Sequence, residues 1–152
     1  RSLSQARPGD ALRLDMRKAV KALQKPVTYE EFGEQHSKRI TLKAEALIAQ
    51  VGDVVLRRKD QGAAYHLAVV IDDDAQNITD VVRGADLNAA TQIHVVLQQL
   101  LNIPTPRYHH HSLIRDETGK RLAKRSDSEA LSSLRKAGHS AQDITERLFS
   151  AP

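Results

Sequence analysis

The residues of this chain with the strongest claim to chemistry are cations. Arg83 closes the stretch Ile78-Thr-Asp-Val-Val-Arg83, where the β-branched Val81 and Val82 suit a buried strand and Gly84 lets the backbone turn. Ligands of open α/β sheets sit beyond the carboxyl ends of the strands, so a permanent cation there would meet a carboxylate or a phosphate. Further on, Lys120, Arg121, Lys124 and Arg125 put four cations within six residues, after a Gly turn and before a helix start. A basic loop of that kind could close on charge that develops on a triphosphate during phosphoryl or nucleotidyl transfer. On composition alone, a solvated basic loop is the simpler reading.

Other candidates are weaker. Tyr65 offers a hydroxyl inside an apolar run, where an ordinary buried Tyr with a backbone partner is the plainer explanation. Asp72, Asp73 and Asp74 carry the charge to hold Mg²⁺, but three consecutive carboxylates do not face one point, and a solvated strand end accounts for them. His109, His110 and His111 suggest a metal, yet a strand turns the middle ring away from its neighbours and no Cys or acidic ligand nearby completes a tetrahedral set. No metal site is expected. The spacing supports neither a Ser-His-Asp triad nor a Gly-rich phosphate loop.

The elements that must position these residues follow from the pattern. Ala11 to Asp15 alternates like a strand, and Met16 to Leu23 continues as a helix that Pro26 interrupts. Val27 to Phe32 reads as a short strand or turn, whereas Gly33 to Gln50 is highly charged, with only Ile40, Leu42, Leu47 and Ile48 as scattered anchors. Asp53 to Lys59 reads as a strand followed by a turn at Asp60-Gln-Gly62. Ala64 to Ile71 is a continuous apolar run that fits a buried strand or a buried helix, ended by Asp72. After the strand that ends in Arg83, a helix is expected from Thr91 to Leu101, with Thr91 as its cap and Ile93, Val96, Leu97, Leu100 and Leu101 on its buried face. Asn102 and Pro104 close that helix, and Arg107 to Ile114 forms another strand. Two helices finish the chain: Ser128 to Lys136, capped by Ser126 or Ser128 and stopped by Gly138, and Ser140 to Phe149, capped by Ser140.

Composition sets the limits. With 152 residues and 40% hydrophobic content the chain can bury a real core, and with three Tyr, two Phe and no Trp that core must be aliphatic. The absence of Cys rules out disulfides, thiolate metal sites and a cysteine nucleophile. No apolar run approaches membrane-spanning length and no signal peptide is visible, so a soluble, cytoplasmic protein with no membrane partner is the default. A net charge of +4 is compatible with a polyanionic partner without requiring one.

Four phrases taken together carry a resemblance: Tyr65-His-Leu-Ala-Val-Val-Ile-Asp-Asp73, Ile78-Thr-Asp-Val-Val-Arg-Gly84, Leu100-Leu-Asn-Ile-Pro-Thr-Pro-Arg-Tyr108 and Arg121-Leu-Ala-Lys-Arg125. In order and spacing they resemble the glutamyl-tRNA synthetase family of class I aminoacyl-tRNA synthetases. Leu12-Arg-Leu-Asp-Met16, Gly52-Asp-Val-Val-Leu-Arg-Arg-Lys-Asp60 and Tyr108-His-His-His111 look most like the shorter, glutamyl-queuosine tRNA(Asp) synthetase branch, which has no anticodon-binding domain. The resemblance runs from about Leu12 to the end of the chain.

That resemblance implies an α/β fold: the second half of a Rossmann-like class I catalytic domain over residues 51–126, preceded by part of its connecting insertion at 1–50 and followed by a short helical tail at 127–152. It assigns Arg83 and Tyr65 to a glutamate pocket, Arg83 as a fork on a carboxylate and Tyr65 as a hydroxyl donor. Arg121, Leu122, Ala123, Lys124 and Arg125 fall on the "KMSKS" loop, with Lys124 as its functional lysine; Arg121 and, less directly, Asp86 would also face ATP. The implied reaction is ATP-driven, Mg²⁺-assisted formation of glutamyl-adenylate, then transfer of the glutamyl group to queuosine in the anticodon loop of tRNA(Asp), by a monomer. Arg121 and Ala123 depart from the usual Lys and Ser, which removes a hydroxyl from the loop. The "HIGH"-type segment and the zinc-binding cysteines of the family would lie upstream of Arg1, so little adenylate synthesis is expected from these 152 residues alone. A fragment of a glutamyl-tRNA synthetase charging tRNA(Glu), or a non-catalytic RNA-binding remnant, are the alternatives that the sequence leaves open.

Overall fold

A computed structural model describes residues 7, 9–23, 25–32, 37–59, 62–115, 119 and 130–150, which fall into two units, Arg1–His111 and Ser112–Pro152. In the first unit strand β1, Leu12–Leu14, leads directly into helix α1, Met16–Ala22. Asp15 starts that helix by accepting the Lys18 backbone N–H at 3.0 Å, and the Met16 N–H donates to the Asp53 carboxylate at 3.0 Å. Asp53 precedes strand β4, Val54–Arg58, which pairs antiparallel with β1 and with the two-residue strand β5, Gly62–Ala63.

Strand β2, Val27–Phe32, and strand β3, Ser37–Leu42, form an antiparallel pair, so the charged stretch after Gly33 contains a full strand rather than scattered anchors. Its pattern hides this because Lys38 and Arg39 are exposed and only Ile40 and Leu42 turn partly inward. Next come helix α2, Ala44–Ala46, and a wider helical turn, Leu47–Val51, that ends at Gly52 with a φ of 65°, a conformation that favours glycine.

The run beginning at Ala64 resolves as helix α3, Tyr65–Ala75. It is not buried all round: Val70 is covered, while Tyr65 and Ile71 are largely exposed. Asp72, Asp73 and Asp74 occupy its last turn instead of a strand end. The helix closes on Asn77, at a φ of 54°, with the Ile78 N–H donating to the Asp73 carbonyl at 2.9 Å and the Asn77 N–H to the Asp74 carbonyl at 3.0 Å.

Strand β6, Asp80–Gly84, a 3₁₀ turn, Ala85–Leu87, helix α4, Asn88–Leu100, and strand β7, Arg107–His111, form a parallel strand-helix-strand unit. Helix α4 starts three residues earlier than Thr91, and Thr91 lies inside it, fully buried. Its buried residues are Thr91, His94, Val95, Val96, Leu97 and Gln98, whereas Leu101 is exposed, because the helix packs on α3 as well as on the sheet. Asn102, at a φ of 55°, closes it in the same way as Asn77 closes α3, with the Ile103 N–H on the Gln98 carbonyl at 2.8 Å.

The second sheet has the order β3-β2-β7-β6, with β7 parallel to both β2 and β6. Its core joins Met16, Ala19, Val27, Leu47, Val54, Val95 and Val96 to two aromatics, Tyr29 and Tyr108, which meet edge to face at 5.6 Å. The core is therefore aliphatic apart from this pair. In the second unit helix α5, Leu131–Lys136, starts from Ala130 and not from a serine cap; Gly138, at a φ of 93°, ends it. Helix α6, Ala141–Ser150, is capped reciprocally, the Asp143 N–H donating to Ser140 Oγ at 3.1 Å and the Ser140 N–H to the Asp143 carboxylate at 2.8 Å. Ser126, Ser128 and the turn at Asp60 lie outside the described residues, and no described helix is long and apolar enough to cross a membrane.

Leu47 is 0% exposed in the main core. Leu47→Ala is expected to destabilise the protein by about 2–5 kcal/mol, read from the urea midpoint at unchanged slope; a loss below about 1 kcal/mol would contradict this packing.

Candidate functional site

The parallel register decides which side chains meet. Arg83 on β6 pairs with His110 on β7, and Tyr108 pairs with Glu31 on β2, so these four residues leave the sheet on one face. Helix α4 covers that face and contributes Thr91 and His94, three positions apart and therefore adjacent on the helix surface.

Arg83 is the hub. Its Nε–H donates to His110 Nε2 at 3.3 Å, one terminal nitrogen to His94 Nδ1 at 3.2 Å and the other to the Thr91 hydroxyl oxygen. The guanidinium carbon also lies 5.2 Å from the centre of the Tyr108 ring, a cation–π contact worth about 0.5–2 kcal/mol. Among the described residues these bonds use three of the five guanidinium N–H groups. A cation removed from water needs every such acceptor, and each one here is a neutral group.

Protonation states follow from donor logic. A guanidinium cannot accept, so His94 Nδ1 must present a lone pair. Burial holds His94 down to about 3, with the Arg83 charge and then His66 adding to the effect. The neutral ring therefore carries its proton on Nε2, which donates to His66 Nδ1 at 3.0 Å. His66 is itself lowered, by burial and then by Arg83. Tyr65 packs its ring 5.8 Å from the His94 ring. Arg83 and Tyr65 thus both contact the His94 imidazole, Arg83 from the carboxyl end of β6 and Tyr65 from the first residue of α3.

Asp73 lies on the His66 face of α3, two turns on. Burial raises its pKa, opposed by the attraction of Arg83, with Asp72 adding to the rise. Two hollows, of about 140 and 640 Å³, lie at the other end of the strands, around Thr79, Gln98, Pro104 and Pro106 and around Leu23, Lys25 and Asn102. Asp73 also lines the first, and none of Arg83, Thr91, His94 and His110 lines either.

Asp86 stands exposed on the 3₁₀ turn just past β6. Arg121, Leu122, Ala123, Lys124 and Arg125 lie outside the described residues. His109 and His110 face opposite sides of the sheet, His109 against Phe32 at 5.3 Å; no group of three His, Asp or Glu among the described residues is placed to hold a metal ion.

A family model described as the catalytic domain of class I tRNA synthetases (E and Q) matches residues 13–149. The chain belongs to this family. Its curated relatives include the glutamyl-Q tRNA(Asp) synthetase of Rhodobacter capsulatus, 51% identical over 140 residues, which cover 92% of this chain and 49% of that protein. The protein of the same name from Xanthomonas campestris is 46% identical over 130 residues, covering 82% of this chain and 43% of its own length. This chain therefore spans about half the length of these relatives. Among solved structures, a glutamate-tRNA synthetase from Elizabethkingia anophelis overlays 77% of this chain and 21% of its own at a TM-score of 0.48 and 24% identity.

Several residues of this class I catalytic domain escape a reading of local sequence. Thr91 resembles a helix cap, and only its spacing from His94 hints at a shared buried face. His110 carries the signal of strand alternation, which does turn the middle histidine away from its neighbours, here toward Arg83. Glu31 has no local signal at all.

The lowered pKa of His94 sets the direction of its pH linkage. Between 6.5 and about 3 the unfolded chain takes up a proton that the folded one refuses, so stability is lost as pH falls through that window. His94→Gln keeps an acceptor for Arg83 and cannot titrate. Its melting temperature is expected to fall less than that of the parent between about pH 6.5 and 4; equal acid slopes would contradict a buried neutral imidazole.

Proposed function

We propose that this chain carries the amino-acid grip of an ATP-dependent ligase that activates glutamate and passes it to the queuosine of tRNA(Asp). The observation that carries the reading is Arg83. Its guanidinium is fixed at a sheet's carboxyl end, with one N–H on each terminal nitrogen unused among the described residues and the Tyr65 ring packed near the His94 imidazole that Arg83 bonds. The names of the relatives, which say glutamyl-Q tRNA(Asp) synthetase, supply the substrate class.

On this reading Arg83 binds a glutamate carboxylate bidentately and Tyr65 donates its hydroxyl, while the neutral histidines add no charge that would attract a second anion. An oxygen of the α-carboxylate attacks the α-phosphorus of ATP; the bond to the bridging oxygen breaks and pyrophosphate leaves. Lys124, with Arg121 on the basic loop and the Mg²⁺ that accompanies ATP, would compensate the charge that moves onto the leaving group. Asp86 would border the nucleotide. A queuosine hydroxyl then takes the glutamyl group from the adenylate and releases AMP. No side-chain nucleophile is required, since positioning and charge compensation lower the barrier. Residues 51–126 would form the second half of the catalytic domain and 127–152 its helical tail, in a cytoplasmic monomer.

The test is Arg83→Lys in the full-length protein, assayed by glutamate-dependent ATP–pyrophosphate exchange. The substitution keeps the charge and loses the planar fork. The glutamate KM is expected to rise at least about tenfold while the ATP KM stays within about twofold; equal losses toward both substrates would reject the pocket.

A further inference from the structure

We infer that Glu31 is a positioning residue for Arg83, acting through the tautomer of His110. His110 Nδ1 lies 2.9 Å from both carboxylate oxygens of Glu31, and the His110 backbone N–H donates to Oε1 at 2.9 Å. The His110 side chain is 3% exposed, so this carboxylate is its counterpart in the interior and not a passing surface contact. A carboxylate only accepts, so Nδ1 must carry the hydrogen.

That assignment determines what the other nitrogen can do. Nε2 faces two groups, the Nε–H of Arg83 at 3.3 Å and the Thr91 hydroxyl at 2.9 Å. As a lone pair it accepts from both. The opposite tautomer would point an N–H at the guanidinium N–H and an imidazole lone pair at the carboxylate, two repulsive contacts in place of two attractive ones. A doubly protonated ring would still oppose Arg83 donor to donor. Thr91, which accepts from Arg83, has the Leu87 carbonyl at 3.4 Å and His110 Nε2 at 2.9 Å in reach of its one hydroxyl hydrogen, and turning that hydrogen to the nearer Nε2 closes the ring of Glu31, His110, Arg83 and Thr91.

The bond from Arg83 Nε thus rests on Glu31, which reaches the site from β2, a strand remote in sequence from the elements that carry Tyr65 and Arg83. Glutamate affinity would then depend on the β2–β3 pair as well as on the strand-helix-strand unit. This inference rests on the proposed glutamate pocket for its functional consequence, but not for its structural content.

Long-range proton–nitrogen correlation spectra of the histidine side chains in the wild-type protein are expected to show His110 as the Nδ1–H tautomer. In the full-length protein Glu31→Ala should lose that preference and raise the glutamate KM about tenfold with the ATP KM within about twofold. Glu31→Gln keeps an oxygen to accept Nδ1–H, and should retain the tautomer and a glutamate KM within about threefold of the parent. An Nε2–H tautomer in the wild type would overturn the inference, whether or not Glu31→Ala folds. So would a folded Glu31→Ala protein with unchanged glutamate KM, provided that Arg83→Lys raises it. If neither substitution changes the glutamate KM while the wild-type tautomer is Nδ1–H, the pocket assignment fails and the positioning of Arg83 by Glu31 stands.

Discussion

The structure of the first unit depends on holding one guanidinium inside it without neutralising it. Arg83 is partly buried, and a charge in that position is tolerated only if hydrogen bonds replace its hydration. The chain meets this need with acceptors that are themselves neutral: an imidazole on β7, an imidazole and a hydroxyl on α4, and the face of Tyr108. A bonded carboxylate would have held the group as firmly, but it would also have consumed the fork. Neutral acceptors fix the geometry and leave the charge without a bonded carboxylate among the described residues.

Such a cradle needs several elements in register. Parallel pairing of β6 with β7 sets Arg83 beside His110, and pairing of β7 with β2 brings Glu31 within reach of the same ring. Helix α4 lies over them because Val95, Val96 and Leu97 are buried in the core, which carries Thr91 and His94 along on an adjacent face. The Tyr29–Tyr108 contact ties the same strands together beneath the site. In this class I catalytic domain of the E and Q type, the side chains that hold Arg83 thus come from the same strands and helix that build the core.

Much of this was legible in the sequence, and the exceptions have physical causes. The strand that carries Arg83, the helix after it and the closing role of Asn102 follow from local pattern, as do Ser140 and Gly138 at the terminal helices; the expected burial of that strand does not hold, because β6 lies at the edge of its sheet and Val82 is exposed. The run from Ala64 to Ile71 is not settled by periodicity or length, since a buried helix and a buried strand are both continuously apolar and eight residues fit a strand; the helix continues through the three aspartates that read as its end. Strand β3 was hidden because an edge strand need show only two inward residues. Thr91 reads as a cap because a threonine precedes an apolar run; inside the helix its hydroxyl instead faces the Leu87 carbonyl one turn back and accepts from Arg83. The partners of Arg83 could not be read at all from local rules, because Glu31 and His110 are 79 positions apart and meet only through sheet register.

The most direct measurement is a crystal structure of the full-length protein with glutamate or a stable analogue of glutamyl-adenylate bound. The two remaining N–H groups of Arg83 are expected on a glutamate carboxylate, the Tyr65 hydroxyl beside it, and the bonds from Arg83 to His94, Thr91 and His110 unchanged from those described above. A bound amino acid whose carboxylates are held elsewhere, with Arg83 still enclosed in its cradle, would show that this guanidinium serves the fold and not the substrate.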